Sequence, residues 1–220
     1  MTPQFDLLAI CSAILLITTF AVVARRGFMD WLNAYRYQSI ALAGVTAIIA
    51  FVTGVWEIYI AAALTFVIKA LVIPKVFLRV TGKLAIKNKI EVDPYISTRS
   101  SVILSALLVV FSYFITEQFP FKSDKVVNAF LPVSIAMFLI GIFVMIVRKK
   151  TLNQVVGLLI LENGLFLFAT SLTHGVSLVI EVGIFLDVII GVVISAILMQ
   201  RINYTFDSMS VANLEKLRDE

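Results

Sequence analysis

The chain has 220 residues, of which 60% are apolar and only 15% charged, with a mean hydropathy of +1.02. Soluble domains average roughly 45–50% apolar and about 25% charged, so this composition excludes a soluble catalytic domain and points to an all-α, polytopic membrane helix bundle. One cysteine (Cys11) and one histidine (His174) cannot alone build a zinc, haem or iron–sulfur site, so no cofactor is expected in this chain. A net charge of +4 would suggest nucleic acid for a soluble protein, but the placement of the charges makes the lipid bilayer the expected partner and not nucleic acid.

Crossing a hydrocarbon core of about 30 Å takes roughly 20 apolar residues in a helix. The apolar runs predict seven such spans, at 5–24, 37–55, 58–79, 100–116, 126–147, 154–173 and 177–200. The first ends at Arg25-Arg26; a signal peptide carries its positive charge before the apolar run and closes on a cleavage site, so this segment reads as a mature span. Spans two and three turn near Trp56-Glu57, and the third carries Lys69 followed by Pro74. The longest connection, 80–99 (TGKLAIKNKIEVDPYISTRS), is basic, and the last two spans turn near His174-Gly175. The chain therefore divides into a four-helix membrane region (1–125), a three-helix region (126–202) and a polar tail (203–220). The connection and the tail are too small to fold alone and are expected to dock on neighbouring subunits.

Basic residues sort to one side. Arg25, Arg26 and Arg36 flank the first connection, and Lys75, Arg79, Lys83, Lys87, Lys89 and Arg99 the third. Arg148, Lys149 and Lys150 form the fifth, and Arg201, Lys216 and Arg218 follow the last span, whereas the opposite loops hold only Lys122 and Lys125. The positive-inside rule then places the N-terminus outside and the C-terminus in the cytoplasm, in a multi-pass protein of the inner (cytoplasmic) membrane.

Four ionisable residues fall within the spans: Lys69, Glu162, Glu181 and Asp187. A lysine or aspartate at a helix centre costs about 2.5–3.5 kcal/mol on insertion scales, and such residues normally face the bundle interior and mark ion or proton pathways. Lys69, Glu162 and Asp187 each lie twelve or thirteen residues from an outer turn, a depth of roughly 18–19 Å at about 1.5 Å per residue. Two acids and one amine thus share one level, and Glu181 lies shallower on a different face. In apolar surroundings a carboxyl holds its proton more tightly and an ammonium releases its own more readily, which suits a proton relay. The plainer reading is an ion pair that pins helices together, and it accounts for one acid but not for the second. Pro74, five residues after Lys69, predicts a kink that frees a backbone carbonyl. Gly157, Gly164, Gly183 and Gly191 suit close helix contacts. His174 reads as a surface residue at the outer turn, and Cys11 as a packing residue.

The segment QVVGLLILENGLFLFATSLTHG followed by EVGIFLDVIIGVVISAILMQ resembles the K subunit of respiratory complex I and the related small subunit of multisubunit Na+/H+ antiporters. The K-type pattern Gly-x-Glu-x-x-x-Asn meets Gly157 and Asn163 here, with Leu159 at the glutamate position and Glu162 three residues further on. Asp187, four residues before Gly191, matches the second K-type pattern with Asp in place of Glu. The four preceding spans, the stretch Lys69-Ala-Leu-Val-Ile-Pro74 and the tail residues Phe206-Asp207-Ser208 resemble component E of hydrogenase-4-type complexes, which are membrane-bound group 4 nickel–iron hydrogenases and formate hydrogenlyases. The resemblance implies a membrane-arm subunit of a complex I-related, redox-driven proton pump, non-catalytic itself, beside antiporter-like and other membrane subunits. In it Asp187, Glu162, Lys69 and Glu181 would contribute to a proton path. A component of a multisubunit Na+/H+ antiporter and a non-conducting scaffold subunit are the alternatives. A retinal protein is excluded, because span 177–200 has no lysine for a Schiff base.

Overall fold

The computed structural model describes residues 3–25, 27–79, 95–119, 124–148 and 151–173, together with Gly191 and Ile194. These residues form six helices and no strand: α1 (Pro3–Ala24), α2 (Phe28–Thr53), α3 (Glu57–Arg79), α4 (Thr98–Thr116), α5 (Lys125–Val147) and α6 (Thr151–Thr173). All six contain a stretch long and apolar enough to cross a membrane, so the expected all-α membrane bundle is what the chain forms. The predicted seventh span, apart from Gly191 and Ile194, lies outside the described residues, as do residues 80–94 of the long connection and the tail 203–220.

Helix α2 starts at Phe28, nine residues before the predicted start. Its first turns are amphipathic: Trp31, Leu32, Ala34 and Tyr35 are buried, whereas Asp30, Asn33 and Arg36 are exposed. A reading tuned to continuous apolar runs takes those charges for a loop. Asp30 in the first turn also suits the positive end of the helix dipole. The helix stops where Gly54 adopts a left-handed φ of 72° and returns its N–H to the Ala50 carbonyl at 2.9 Å, a conformation that glycine adopts without penalty.

Just before Pro74, where the sequence predicts a kink, α3 has π-helical turns over Thr65–Val72, in which the Ile73 N–H reaches back five residues to the Ile68 carbonyl. Proline has no N–H and its ring crowds the carbonyl four residues earlier, so Pro74 suits a helix whose preceding turns are widened. Lys69 sits inside the widened segment.

Helix α4 is apolar on its outside and polar on its inside. Ser101, Ser105 and Ser112 are buried, whereas Ile103, Leu107, Val110, Phe111 and Phe114 are exposed. The serine hydroxyls donate to carbonyls of their own helix, Ser105 to Ser101 at 2.8 Å and Ser112 to Val109 at 2.7 Å, so this face needs no outside partner. Such an arrangement is stable where the solvent is lipid.

Helices α5 and α6 form the tightest pair. A Cβ at Gly141 would stand 2.5 Å from the Leu161 nitrogen, and one at Gly164 would stand 2.7 Å from the Phe138 nitrogen. A Cβ at Gly157 would lie 2.7 Å from the Met145 nitrogen, whereas at Gly191 none of the described residues comes within 4 Å. The two backbones therefore touch along three turns, as small residues permit between membrane helices. Two hydrophobic clusters complete the core, and both combine residues from α1–α3 with residues from α5 and α6. Cys11 packs in the second of them beside Leu8 and Leu15, in the packing role expected for it.

Candidate functional site: a buried lysine between two helices

The long connection 80–97 separates α3 from α4–α6 in sequence, yet α3 brings Lys69 against the middle of α6. Lys69 Nζ lies 2.8 Å from Glu162 Oε1 and donates a hydrogen bond to Asn163 Oδ1 at 3.1 Å. It also stands 4.9 Å from the centroid of the Phe166 ring, a distance at which an aromatic face attracts a cation. Glu162 and Phe166 are four residues apart and so share a face of α6. Asn163, the next residue round the helix, completes a cradle of carboxylate, amide oxygen and ring.

Water has been removed from this cradle. Lys69 and Asn163 are 0% exposed and Glu162 is 5% exposed. Taking an ion into such a place costs several kcal/mol unless it is paired and hydrogen-bonded. Lys69 meets both conditions. Glu162 meets only the first, because it is paired through Oε1 while neither carboxylate oxygen makes a hydrogen bond of good geometry among the described residues, and Asn163 Nδ2 and Thr65 Oγ1 are in the same position. Thr65 lies four residues before Lys69, on the same face of α3.

The pair sits deep. One end of the bundle is tied by Arg148, which is 1% exposed and donates from Nη2 to the Val23 carbonyl at 3.0 Å. Gln154 Nε2 in turn donates to the Arg148 carbonyl at 3.0 Å. Val23 is near the end of α1 and Gln154 near the start of α6, so those ends lie at one level. Glu162 is eleven residues into α6 and Lys69 ten residues before the end of α3, each about 15–17 Å from that end by helical rise. The two residues therefore meet at one depth, as their spacing predicts.

Of the other sequence-predicted site residues, Pro74 is buried on α3 at the end of the widened turns, and Glu181 and Asp187 lie outside the described residues, as does His174. Leu159, at the glutamate position of the K-type pattern, is fully buried among apolar residues, and the carboxylate that engages Lys69 is Glu162. Sequence reasoning noted Asn163 only as a pattern match and gave Phe166 no part; their offsets of one and four from Glu162 were the available signal. Arg148 was read only as one of the basic residues of the fifth connection; the structure buries it and uses its guanidinium to cap the end of α1. Tyr35 and Ser39, both fully buried on α2, were also missed. Neither hydroxyl makes a hydrogen bond of good geometry among the described residues.

Comparison with known proteins places the chain among full-length relatives. It is 28% identical over 205 residues to an uncharacterised protein of Mycobacterium tuberculosis, covering 93% of each chain. It is 22% identical over 207 residues to hydrogenase-4 component E of Escherichia coli K12, covering 94% of this chain and 95% of that one, and the component E of Shigella flexneri matches equally. No protein-family profile matches the chain, and no solved structure does.

Proposed function

We propose, from the similarity to hydrogenase-4 component E over 94% of the chain and from the Lys69–Glu162 pair, that the chain is a membrane-arm subunit of a complex I-related, redox-driven proton pump. The similarity supports membership in a group 4 hydrogenase type of membrane assembly, and we further propose the inner membrane as its place and antiporter-like subunits as its neighbours. The basic connections support a cytoplasmic C-terminus. The observation that carries a part in proton movement is the 2.8 Å contact between Lys69 and Glu162 at a depth where neither is exposed.

An ammonium and a carboxylate at this distance differ from an amine and a carboxylic acid by the position of one proton. In a low-dielectric interior the two states lie closer in energy than in water, because desolvation penalises the charged one. Asn163 Oδ1 and the Phe166 ring hold the lysine head in place, and the Glu162 carboxylate, whose oxygens make no hydrogen bond of good geometry among the described residues, is where a proton would enter or leave. On this reading Asp187 and Glu181, on the last span, carry the proton onward, and redox chemistry takes place in partner subunits. The scaffold reading draws on the same cradle, since a buried pair also fixes α3 against α6.

Membership is tested by isolating the complex through a tag on this chain. Recovery of hydrogenase- or dehydrogenase-type subunits is the expected result. Recovery of antiporter subunits alone would replace the proposal with a Na+/H+ antiporter component.

A further inference from the structure

The bundle has a cleft of about 410 Å³ between α4 and α5, at the end away from Arg148. Glu117, which closes α4, and Phe119 form its exposed rim, whereas Val127, Leu131 and Pro132 form a buried apolar floor. Leu131 and Pro132 are six and seven residues beyond Lys125, the first residue of α5, and so about 9–11 Å below it by helical rise. The cleft thus runs from a polar rim into the apolar layer. Over that depth a helix, about 10–12 Å across with its side chains, would fill roughly twice the volume. The space suits a lipid better than a partner's helix.

The walls favour a cation. Glu117 contributes a carboxylate, which only accepts hydrogen bonds. The Thr116 hydroxyl, also in the lining, already donates to the Ser112 and Tyr113 carbonyls of its own helix at 2.9 Å, so toward the cleft its oxygen can only accept. The last turn of α4 holds no basic residue to offset the negative end of the helix dipole. Tyr113 and Phe119 add aromatic rings to the lining, and ring faces attract an ammonium. A helix start such as that of α5 suits an anion through its N–H groups, but Asp124 has taken three of them. Its carboxylate accepts from the Val126 and Val127 N–H groups at 2.8 and 3.2 Å, and its carbonyl from that of Asn128 at 3.0 Å.

We propose that this cleft seats the headgroup of an ethanolamine-type phospholipid, its ammonium held by the Glu117 carboxylate and the Tyr113 and Phe119 rings. A primary ammonium brings N–H donors for the Glu117 and Thr116 oxygens, which a quaternary one lacks. The start of the lipid's hydrocarbon then lies on Val127, Leu131 and Pro132, and Lys125, exposed in the first turn of α5, suits its phosphate. On the proposed topology this is a lipid of the outer leaflet. It would brace α4 against α5 whether or not the Lys69–Glu162 pair conducts protons.

The test is native mass spectrometry of the full chain in detergent, titrated with phosphatidylethanolamine, phosphatidylcholine or phosphatidylglycerol. One phosphatidylethanolamine should be retained with about tenfold higher affinity than either other lipid, the worth of a charge-assisted hydrogen bond. Glu117→Gln should abolish that preference, and Phe119→Leu should weaken it about threefold, as for an exposed cation–ring contact. Glu117 and Phe119 are exposed, so both variants should unfold at the wild-type midpoint in lipid-free detergent. Should Glu117→Gln fail to fold, Phe119→Leu carries the same comparison. Equal retention of all the lipids by the wild type, or a preference undiminished in either variant, would overturn the assignment and leave an adventitious lipid only. Tighter retention of phosphatidylglycerol would overturn it by calling for an anion site.

Discussion

Lys69 and Glu162, 93 positions apart in the chain, meet at 2.8 Å with both side chains withdrawn from the surface. Removing one partner strands the other, which for a buried pair costs about 3–5 kcal/mol, whereas replacing both with apolar groups is often neutral. Thermal unfolding in detergent should therefore show Lys69→Met as strongly destabilising and the double variant Lys69→Met/Glu162→Leu as close to wild type. Additive losses in the double variant would show that the two side chains do not act as a pair.

The α5–α6 contact makes a second prediction. A methyl group at Gly141 would press on the backbone of Leu161 at 2.5 Å, whereas one at Gly44 would meet nothing within 4 Å. Overpacking typically costs about 1–3 kcal/mol, and glycine to alanine in an open helical site gains up to about 1 kcal/mol. Gly141→Ala should lower the midpoint of unfolding and Gly44→Ala should leave or raise it. The reverse order would mean that α5 and α6 do not touch through their backbones.

Arg148, at the end of α5, ties the end of α1 through the Val23 carbonyl, a group with no partner inside its own helix. A hydrogen bond from a charged donor is worth about 1.5–3 kcal/mol. Arg148→Met should cost about that much and increase hydrogen exchange at the ends of α1 and α5, and Arg148→Lys should rescue it only in part, lacking the planar fork. Wild-type protection in Arg148→Met would show the contact to be idle.

Orientation is testable separately. With Cys11 replaced, a cysteine at Lys149 should react with an impermeant thiol reagent only from the cytoplasmic side. Reaction from outside would invert the proposed topology.

Much of this arrangement was legible in the sequence. Spans three to six could be bounded to within a few residues because lipid tolerates only long, unbroken apolar helices, and the common depth of Lys69 and Glu162 followed from counting residues to the turns. What was not legible depends on rotation about helix axes. Depth alone gives Lys69 no choice among neighbours, so Asn163 and Phe166 became visible as its partners only when α6 was packed. The start of α2 was obscured because Asp30 and Arg36 interrupt the apolar run, although Trp31 and Tyr35 between them face the core. Pro74 announced an irregular helix but not that the irregularity would be a π-helical segment enclosing Lys69.

The central claim is that the Lys69–Glu162 pair conducts protons rather than only joining α3 to α6. The direct measurement is proton movement per redox turnover of the intact complex in sealed vesicles, for the double variant Glu162→Gln/Asp187→Asn. Gln and Asn keep most of the shape and hydrogen bonding, so the complex should assemble and turn over, with proton yield reduced by about tenfold or more. A wild-type yield from the fully assembled double variant would contradict the claim and leave the chain a scaffold.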